Sequence, residues 1–424
     1  MRIAIIGSGI AGNVVAYRLH REHEVTVFES ADHIGGHAHT HVVQHEGRDV
    51  AVDTGFIVFN DRTYPQFVAL LDELGVESQA SEMSFSVRCA ASGLEYNGTT
   101  INSLFAQRRN LCRPSFWRMI RDILRFNREA PRLLHMPDSD VSLADYLREQ
   151  RYSAQFIQHY IVPMGAAVWS VGTTALQQIP AQFFIRFFHH HGMLSIDHRP
   201  QWRTIRGGSA RYVAKLTAPY RNRIRSGTPV EKVSRTATGV LVSAGGAEPW
   251  RFDRVFFACH SDQALQLLSD ADAFERATLG ALKYERNDVV LHTDTAVLPR
   301  RKLAWAAWNY HIPESERPRV AVTYNMKLLQ RLEIRTPLLV SLNMGDSIDP
   351  AKVIKRVTYE HPIFTREAVA AQSQHARIDG ANRAYFCGAY WRYGFHEDGV
   401  VSALAALDHF RQREYAQRPV RRTA

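Results

Sequence analysis

The stretch Ile3-Ala4-Ile5-Ile6-Gly7-Ser8-Gly9-Ile10-Ala11-Gly12 decides the fold. Its four leading apolar residues predict a short buried strand, and the glycines after it open a helix. Gly7 and Gly9 permit a tight turn and a close approach of the main chain to a ligand, and Gly12 lets the helix pack against the strand. The free amides and the positive dipole end of that helix suit a pyrophosphate.

A second strand, predicted over residues 24–28, follows the helix and ends at Glu29. Glu29 lies 22 residues after Gly7, where a carboxylate can hold the ribose of an adenosine. Strand, glycines, helix, strand and acid in this order predict a GxGxxG-type, Rossmann-like dinucleotide-binding unit, and therefore an α/β fold.

The rest of the chain is long enough for a second domain, because it has 424 residues, 45% of them hydrophobic and 22% charged. Helical patterns predominate from about residue 64 to 205, and a final helix is predicted over 399–410. We expect a discontinuous dinucleotide-binding domain and an interleaved, mixed α+β substrate domain. The first takes residues 1–80, 205–265 and 376–424, and the second takes residues 81–204 and 266–375.

The net charge of +10 comes from two local clusters of arginine. Residues 107–135 carry eight Arg against two acids, residues 411–424 carry five Arg against one Glu, and the remainder is neutral. A nucleic-acid partner is therefore not expected. The four cysteines have neither disulfide nor zinc spacing, and the apolar start is too short for a signal peptide. A cytoplasmic location is expected.

Three later glycine motifs favour FAD over NAD as the dinucleotide. Gly35-Gly36-His37 brings the chain near the dinucleotide again, and Gly207-Gly208-Ser209 opens another helix. A closing loop from Gly388 leads to a last helix, whose N-terminal amides can face the electron-rich edge of a reduced flavin. A nicotinamide site needs no such third element.

Taken together, these motifs resemble those of the FAD-containing amine-oxidase superfamily. The resemblance is carried by GSGIAG, Glu29, IGGHAHT, VDTGF, RGGSARYVAKL, PVEKV and FCGAY…EDGVVSALAAL. More closely, MSFSV, VWS, HHGML, RPQWRTIRGGS, WAAWNY and YGFHEDG resemble a branch of predicted NAD/FAD-binding proteins. That branch is related to the amino-terminal region of plant cyclopropane-fatty-acid synthases and is often associated with lipid-modifying methyltransferases, so a methyltransferase partner is an expectation.

The resemblance implies noncovalent FAD and a set of cofactor-binding positions. It assigns Gly7, Gly9 and Gly12 to the pyrophosphate, Glu29 to the ribose, Gly36 to the diphosphate region, Val230 to the adenine, Gly55 and Phe56 to the flavin ring, and Gly388, Gly399 and Val400 to diphosphate, ribityl chain and ring edge. This chain departs from the family pattern twice, with His37 in place of an Arg and Ala389 in place of a Glu. Asp398 is then the nearest candidate for a ribityl contact.

No residue stands out as the catalytic base. Tyr393, His396 and Glu397 fall in the closing loop and can reach the flavin. The alternative is that Glu397 and Asp398 cap the last helix while His396 packs beneath it. Amine oxidases often carry a Lys bound through water to the flavin, and Lys302 lies in a comparable region. Its neighbours Arg300 and Arg301 make an exposed run equally consistent.

Histidine runs and nucleophile motifs give no support to other enzyme classes. Consecutive His189, His190 and His191 point to different faces of a helix, and the alternating histidines of residues 33–41 lack a carboxylate or Cys at ligand spacing. No metal is expected. A hydrolase is disfavoured, because no Gly-x-Ser-x-Gly elbow is present.

The substrate domain has the composition of an apolar cavity. Residues 153–185 form an uncharged run of 33, and aromatic residues are frequent between the cofactor motifs. This favours an unsaturated fatty-acyl or phospholipid substrate, desaturated by hydride transfer to flavin N5. An amine oxidase, a redox-neutral flavin isomerase and an FAD-stabilised subunit that delivers lipid to a methyltransferase remain open.

The first arginine cluster has helical spacing. Arg118, Arg121, Arg125, Arg128 and Arg132 recur every three or four residues opposite an apolar face. One interpretation is an ordinary helix with its apolar face in the core. The other is a peripheral contact with anionic lipid at the inner face of the membrane, which would give an acyl substrate a way in.

Overall fold

The computed structural model describes residues 1–137, 141–195, 197, 199–246, 248–315 and 319–415. Residues 416–424 of the second arginine cluster lie outside the described residues. Within the described parts of the chain, no helix is long and apolar enough to cross a membrane.

A five-stranded parallel sheet carries the glycine motif. Its spatial order is Ile224–Arg225, Glu24–Phe28, Arg2–Ile6, Arg254–Phe257 and Ala384–Phe386. Ile3 and Ile5 pack against the helices Ile10–Leu19, Ala210–Thr217 and His396–Tyr415 on one face. Ala4 and Ile6 face the opposite side, where a small antiparallel sheet and two helices cover them; these are Val230–Thr236, Gly239–Ala244, Trp250–Phe252, Ser261–Leu267 and Ala273–Gly280. Both faces of the sheet are therefore buried, which explains the uninterrupted apolar run.

A seven-stranded mixed sheet is the second large sheet of the molecule. Its order is Val353–Ile363, Lys283–His292, Leu339–Leu342, Val322–Asn325, Trp308–Ile312, Phe85–Cys89 and Leu94–Asn97. All neighbours are antiparallel except Trp308–Ile312 and Phe85–Cys89, which run parallel. The largest apolar cluster packs against this sheet and comes chiefly from the helices of residues 114–190.

Two further small sheets and the remaining helices complete the fold. The sheets pair Thr40–His45 with Arg48–Asp53, and Trp202–Ile205 with both Phe59–Asn60 and Ser78–Ala80. The helices are Pro65–Glu73, Ile101–Leu104, Pro114–Glu129, Leu143–Glu149, Ala154–Phe156, Val162–Trp169, Thr173–Gln177, Ala181–His190, Met326–Leu329, Arg366–Gln372 and His375–Ile378. The predicted βαβ start, the mostly helical region and the helix near 115–129 are confirmed.

The uncharged run contains a π-helical turn, Ile157–Ile161, whose cause is Pro163. In an α-helix the carbonyl of His159 would accept from the amide of residue 163, which proline lacks. The hydroxyl of Tyr96 donates to that carbonyl instead, at 2.7 Å. The widened turn presents Tyr160 to the large cavity described below.

One predicted boundary is wrong. The last helix begins at His396, three residues before Gly399, because the carboxylate of Asp398 accepts the amide of Phe395 at 2.9 Å and so stabilises an earlier start. The amide of Gly399 already donates to the carbonyl of Phe395 at 3.1 Å. The free amides at this helix start therefore belong to residues 396–398.

Candidate functional site

One cavity of about 1210 Å³ runs between the two large sheets. Its volume exceeds the ~300–1,000 Å³ of most single-ligand pockets, so it has room for a cofactor and a substrate. Of the residues predicted to bind a cofactor, it is lined by Gly7, Gly9, Glu29, Gly36, His37, Gly55, Phe56, Val230 and Gly388.

The glycine motif forms a cradle of main chain at one end of this cavity. A Cβ at Gly12 would lie 2.0 Å from the carbonyl oxygen of Gly7, and a Cβ at Gly7 would lie 2.8 Å from that of Ala258. A Cβ at Gly9 would meet nothing within 4 Å, because that position faces the cavity. A Cβ at Gly36 would lie 3.1 Å from the Cα of Gly9, so the two predicted glycine loops meet.

Glu29 lies beside this cradle with its carboxylate fixed. The amide and hydroxyl of Ser8 donate to Oε2 at 2.9 and 2.7 Å, and the amide of Ala31 donates to Oε1 at 2.9 Å. These contacts lock the side chain in one rotamer and leave lone pairs directed at the cavity for a diol. The contact of Glu29 with a ribose stays a prediction.

His37 occupies the position where the family pattern has an arginine. Burial holds its pKa well below the usual value, so the imidazole is neutral at pH 7. Its Nε2 is buried and has no hydrogen-bond partner among the described residues. A Cβ at Gly55 would lie 2.2 Å from the carbonyl oxygen of His37, which explains the glycine there.

The flavin-facing candidates Phe56 and His396 stack on one another. Their ring centroids are 3.7 Å apart with planes 9° from parallel, and both line the cavity. Burial lowers the pKa of His396 to about 3. Its Nε2 lies 2.6 Å from the hydroxyl of Tyr212, whose pKa burial raises well above the usual value. Tyr212 therefore stays protonated, and its hydroxyl is the hydrogen-bond partner of His396 Nε2.

Glu397 and Asp398 face away from the cavity. Glu397 accepts the amides of Gln66 and Phe67 at 3.0 and 2.8 Å and so caps the helix Pro65–Glu73. Asp398 accepts the amides of Tyr393 and Phe395, and burial raises its pKa to about 7. Asp398 therefore caps the last helix, as the capping alternative predicts, whereas the same alternative is wrong for Glu397, which caps the helix Pro65–Glu73 instead.

Three more candidates lie off the cavity lining. Gly399 packs on the first helix, where a Cβ would lie 2.6 Å from the side chain of Ile10, and Val400 is buried in the same core. Lys302 is exposed on the surface, 6.0 Å from the ring of Trp305. The structure does not bring Lys302 to the site.

The other end of the cavity, which we call the distal wall, is built from apolar and aromatic side chains. Its members are Tyr96, Tyr160, Met164, Val168, Trp169, Phe187, Trp308 and Tyr324. Trp169 packs on Phe187 at 4.8 Å between ring centroids, and Trp308 meets Tyr324 edge-on at the same distance. Acidic side chains reach the cavity at Glu29, Glu82 and Glu360.

His191 also lines the cavity. The sequence had drawn attention to it only as one of three consecutive histidines that were not expected to bind a metal. It stacks on Phe187 at 3.8 Å, and its Nδ1 lies 3.0 Å from the carbonyl oxygen of the same residue. A carbonyl only accepts, so Nδ1 carries the proton and Nε2 keeps a free lone pair. The signal for it was its position one turn after the Phe187-Phe188 pair. Among the described residues no three metal-ligating side chains converge.

Sequence reasoning also missed Asp53, which holds the Gly207-Gly208-Ser209 motif in place. Its buried carboxylate accepts the amide and hydroxyl of Ser209 at 2.9 and 2.7 Å and thereby anchors the helix Ala210–Thr217. Burial raises the pKa of Asp53 to about 6. The sequence did contain a signal for this contact, namely an acid in VDTGF and a Gly-Gly-Ser turn whose amide and hydroxyl need an acceptor.

The residues present fit FAD. A main-chain cradle open only at Gly9, a locked ribose acid and free amides at a helix start supply sites for pyrophosphate, adenosine and flavin edge. This fold and this site define a flavoprotein with a dinucleotide-binding domain of the GxGxxG type.

The chain belongs to the flavin-containing amine oxidoreductases, whose family model matches residues 10–406. It is an FAD-dependent oxidoreductase of that family. No curated protein matches the chain in sequence.

Solved structures share the fold across nearly the whole chain at low identity. Cyclohexylamine oxidase from Brevibacterium oxydans superimposes with a TM-score of 0.71 at 14% identity, covering 97% of this chain and 99% of that one. A putative protoporphyrinogen oxidase from Exiguobacterium gives 0.70 at 15%, covering 97% and 99%. A CLA-producing fatty acid isomerase from P. acnes gives 0.68 at 15%, covering 96% and 98%.

Proposed function

We propose that this enzyme oxidises an unsaturated fatty-acyl or phospholipid chain to a more unsaturated one. The observation that carries the proposal is the distal wall, which offers apolar and aromatic surface to a substrate. Much of that wall comes from the uncharged run of residues 153–185, so a hydrocarbon can lie there without stranding a buried charge. The fold shared with a fatty acid isomerase supports the same substrate class.

The reaction removes a hydride from an allylic carbon and a proton from a neighbouring carbon, which leaves one additional double bond. Bound FAD supplies the two-electron acceptor for the hydride. An existing double bond activates the allylic C–H bond. The residues of the chain have to exclude water, hold the hydrocarbon still and accept the companion proton.

We propose His191 as the acceptor of that proton. Its Nε2 lone pair is free and its ring lines the cavity. Burial lowers its pKa to about 4, which keeps it neutral at pH 7 but makes it a weaker base than a free imidazole. His396 is less suited because the hydroxyl of Tyr212 occupies its Nε2. Replacing His191 by Asn should slow reduction of the flavin by about 10²–10⁴-fold without loss of bound FAD.

A matched variant, His396→Asn, separates these two roles. It should disturb the stack with Phe56 and lower FAD affinity, while the flavin that remains bound is reduced at a rate within about 10-fold of wild type. If His396→Asn abolishes reduction and His191→Asn does not, the assignment of the proton acceptor is overturned.

The experiment that tests the function is anaerobic mixing of the holoenzyme with detergent-dispersed linoleate. Bleaching of the oxidised flavin together with a product lighter by two hydrogens supports desaturation. Altered double bonds at unchanged mass and unbleached flavin support a redox-neutral isomerase. If no unsaturated chain bleaches the flavin or has its double bonds altered, the remaining interpretation is a subunit that delivers lipid. Copurification with a lipid-modifying methyltransferase would then test that interpretation.

An amine oxidase is the second candidate, and Glu82 is the observation that favours it. Its carboxylate lines the cavity and can pair with an ammonium group, although it is partly exposed and accepts from Ser84 Oγ at 2.5 Å. Flavin bleaching by cyclohexylamine but not by linoleate would replace the proposed substrate class with amines.

A further inference from the structure

The surface beside the distal wall exposes an unusual amount of large apolar side chain. Ile101 is 80% exposed, Leu111 and Trp117 are each 49% exposed, Leu124 is 48% exposed and Leu303 is 43% exposed. We call these five residues the apolar rim. Isolated exposed leucines need no explanation, but a group of them on neighbouring elements marks a surface that meets something apolar.

Contacts within the fold hold the apolar rim together. The indole of Trp117 donates to the carbonyl of Leu111 at 2.9 Å and packs on Phe105, which follows the helix Ile101–Leu104. Leu124 lies two turns after Trp117 and so on the same side of the helix Pro114–Glu129. The helix Ile101–Leu104 also contacts the turn Lys302–Ala304. Five residues from three segments therefore share one side of the molecule.

Cationic side chains surround the apolar rim. Arg118 and Arg121 are exposed on the same helix, and in the parts of the chain that the structure describes no acid forms an ion pair with either. Arg300 and Arg301 are exposed next to Leu303. The carboxylate of Glu95 accepts their main-chain amides at 2.8 and 3.0 Å and so fixes this basic turn near Ile101.

One arginine predicted to belong to this group does not. The guanidinium of Arg125 lies 4.0 Å from the ring centroid of Tyr152 and donates to the carbonyl of Gln150. It lies 3.7 Å from the buried carboxylate of Asp122, which in turn accepts the amide of Ser153. Arg125 therefore fastens the helix to the core, and a charge reversal there would test folding and not docking.

Apolar side chains ringed by unpaired arginine match the chemistry of an anionic bilayer surface. Leucine, isoleucine and tryptophan insert among acyl chains and headgroups, while arginine contacts lipid phosphates. The basic cluster of residues 107–135 supplies the charge complementarity, since eight Arg face only two acids there and both acids are bound to arginine. We propose that the apolar rim docks on an anionic membrane.

The same surface lies beside residues that line the cavity. Gly98 and Thr99 line the cavity, and Thr100 caps the helix that carries Ile101. A docked enzyme would thus meet the acyl chains of the bilayer next to the distal wall, and membrane lipid becomes the source of the substrate. This last step rests on the proposed function, whereas the docking itself does not.

Vesicle flotation of the FAD-loaded protein tests the docking. Wild type should float with phosphatidylglycerol-containing vesicles, more weakly at high salt and much more weakly with phosphatidylcholine alone. The pairs Arg118→Glu with Arg121→Glu, and Ile101→Ser with Leu124→Ser, should each weaken flotation at least about 10-fold. Retained flavin absorbance shows that these variants fold.

Matched controls change exposed residues of the same kind elsewhere. Arg221→Glu with Arg276→Glu keeps the charge change, Val42→Ser with Ile354→Ser keeps the apolar loss, and both pairs should float within about 2-fold of wild type. Equal losses in controls and rim variants, or no flotation of wild type at low salt, overturn the proposal.

Turnover separates docking from catalysis. The rim variants should oxidise detergent-dispersed linoleate normally and lose activity only on lipid in vesicles. If wild type floats and the rim variants do not, yet no unsaturated chain is ever oxidised, the docking stands and the proposed function fails. If rim variants oxidise lipid in vesicles as fast as wild type, the rim does not deliver the substrate.

Discussion

The two ends of the cavity are built from different parts of the polypeptide. At the cofactor end the contacts come from main chain: glycines that touch carbonyl oxygens, free amides at helix starts, and a single acid held by neighbouring amides. At the distal wall the contacts come from side chains contributed by segments that lie far apart in sequence. A main-chain site tolerates almost no change of shape, whereas a side-chain wall can be remodelled to accept another substrate.

The sharpest way to break this comparison is a single methyl group in the cradle. Gly12→Ala places a Cβ 2.0 Å from the oxygen of Gly7 and should abolish soluble, flavin-bearing protein. Gly9→Ala adds the same group where no protein atom lies within 4 Å, so the apoprotein should melt within a few degrees of wild type. FAD affinity should nevertheless fall at least about 10-fold, because the methyl enters the pyrophosphate position. Thermal melting measures the stability of the two variants, and flavin absorbance measures their bound FAD. If Gly12→Ala and Gly9→Ala lose stability and FAD to the same extent, the proposed role of the cradle is contradicted.

The corresponding change in the distal wall should spare the cofactor. Val168→Phe adds volume inside the cavity and should raise KM for a long unsaturated acyl chain at least about 10-fold, with FAD content unchanged. A shorter chain should be affected less, so the ratio of kcat/KM between the two chain lengths is the measurement. Loss of FAD from this variant would show that the two ends of the cavity are not independent.

The seven-stranded sheet should lose stability in mild acid, because it contains the buried His292. His292 in the seven-stranded sheet accepts the amide of Asp294 at Nδ1 and contacts Ser341 Oγ at 2.8 Å, and burial lowers its pKa to about 4. Its proton is bound in the unfolded chain but not in the fold between about pH 6.5 and 4. Stability should therefore fall by ~2 kcal/mol from pH 7 to pH 5 through this residue alone.

A variant isolates that contribution. His292→Gln should be less stable than wild type at pH 7, and the difference should shrink as the pH falls to 5, because the variant has no proton to bind. Denaturant unfolding at both pH values gives the two differences. A difference that stays constant with pH would mean that His292 titrates normally in the folded protein.

The smallest effect is expected at Lys302, which the structure places on the surface. Lys302→Met should leave the rate of flavin reduction by detergent-dispersed substrate within about 2-fold of wild type, since an exposed charge away from the cavity contributes little. A loss of about 10-fold or more in that rate would place the lysine in the catalytic machinery despite its position.

Features that depend on neighbouring residues could be predicted from sequence, and features that depend on distant ones could not. The cradle and Glu29 follow from residues 3–29, because the required turn, helix and strand are local. Glu397 lies at a position in the chain that suits a flavin contact. Its carboxylate instead accepts the amides of Gln66 and Phe67, which lie 331 and 330 residues earlier in the chain. No local pattern specifies such a partner.

The same distinction explains the distal residues. His191 gains its importance from the tautomer set by Phe187 and from the cavity beside it, neither of which a run of three histidines reveals. The apolar character of half of the distal wall could be predicted from the absence of charge over residues 153–185, which supply Tyr160, Met164, Val168 and Trp169. Which of those side chains would face the cavity depended on the π-helical turn at Pro163.

The parallel sheet that carries the glycine motif joins the beginning of the chain to its end. The strand Ala384–Phe386 completes the sheet, and the helix His396–Tyr415 covers the first helix, roughly 350 residues after Phe28. At about 5–20 residues per second, a ribosome needs roughly 20–70 s to make the intervening chain. Until then the sheet lacks its last strand and the first helix lacks the helix that covers it, so the complete cofactor end of the cavity forms only late in the biosynthesis of this chain.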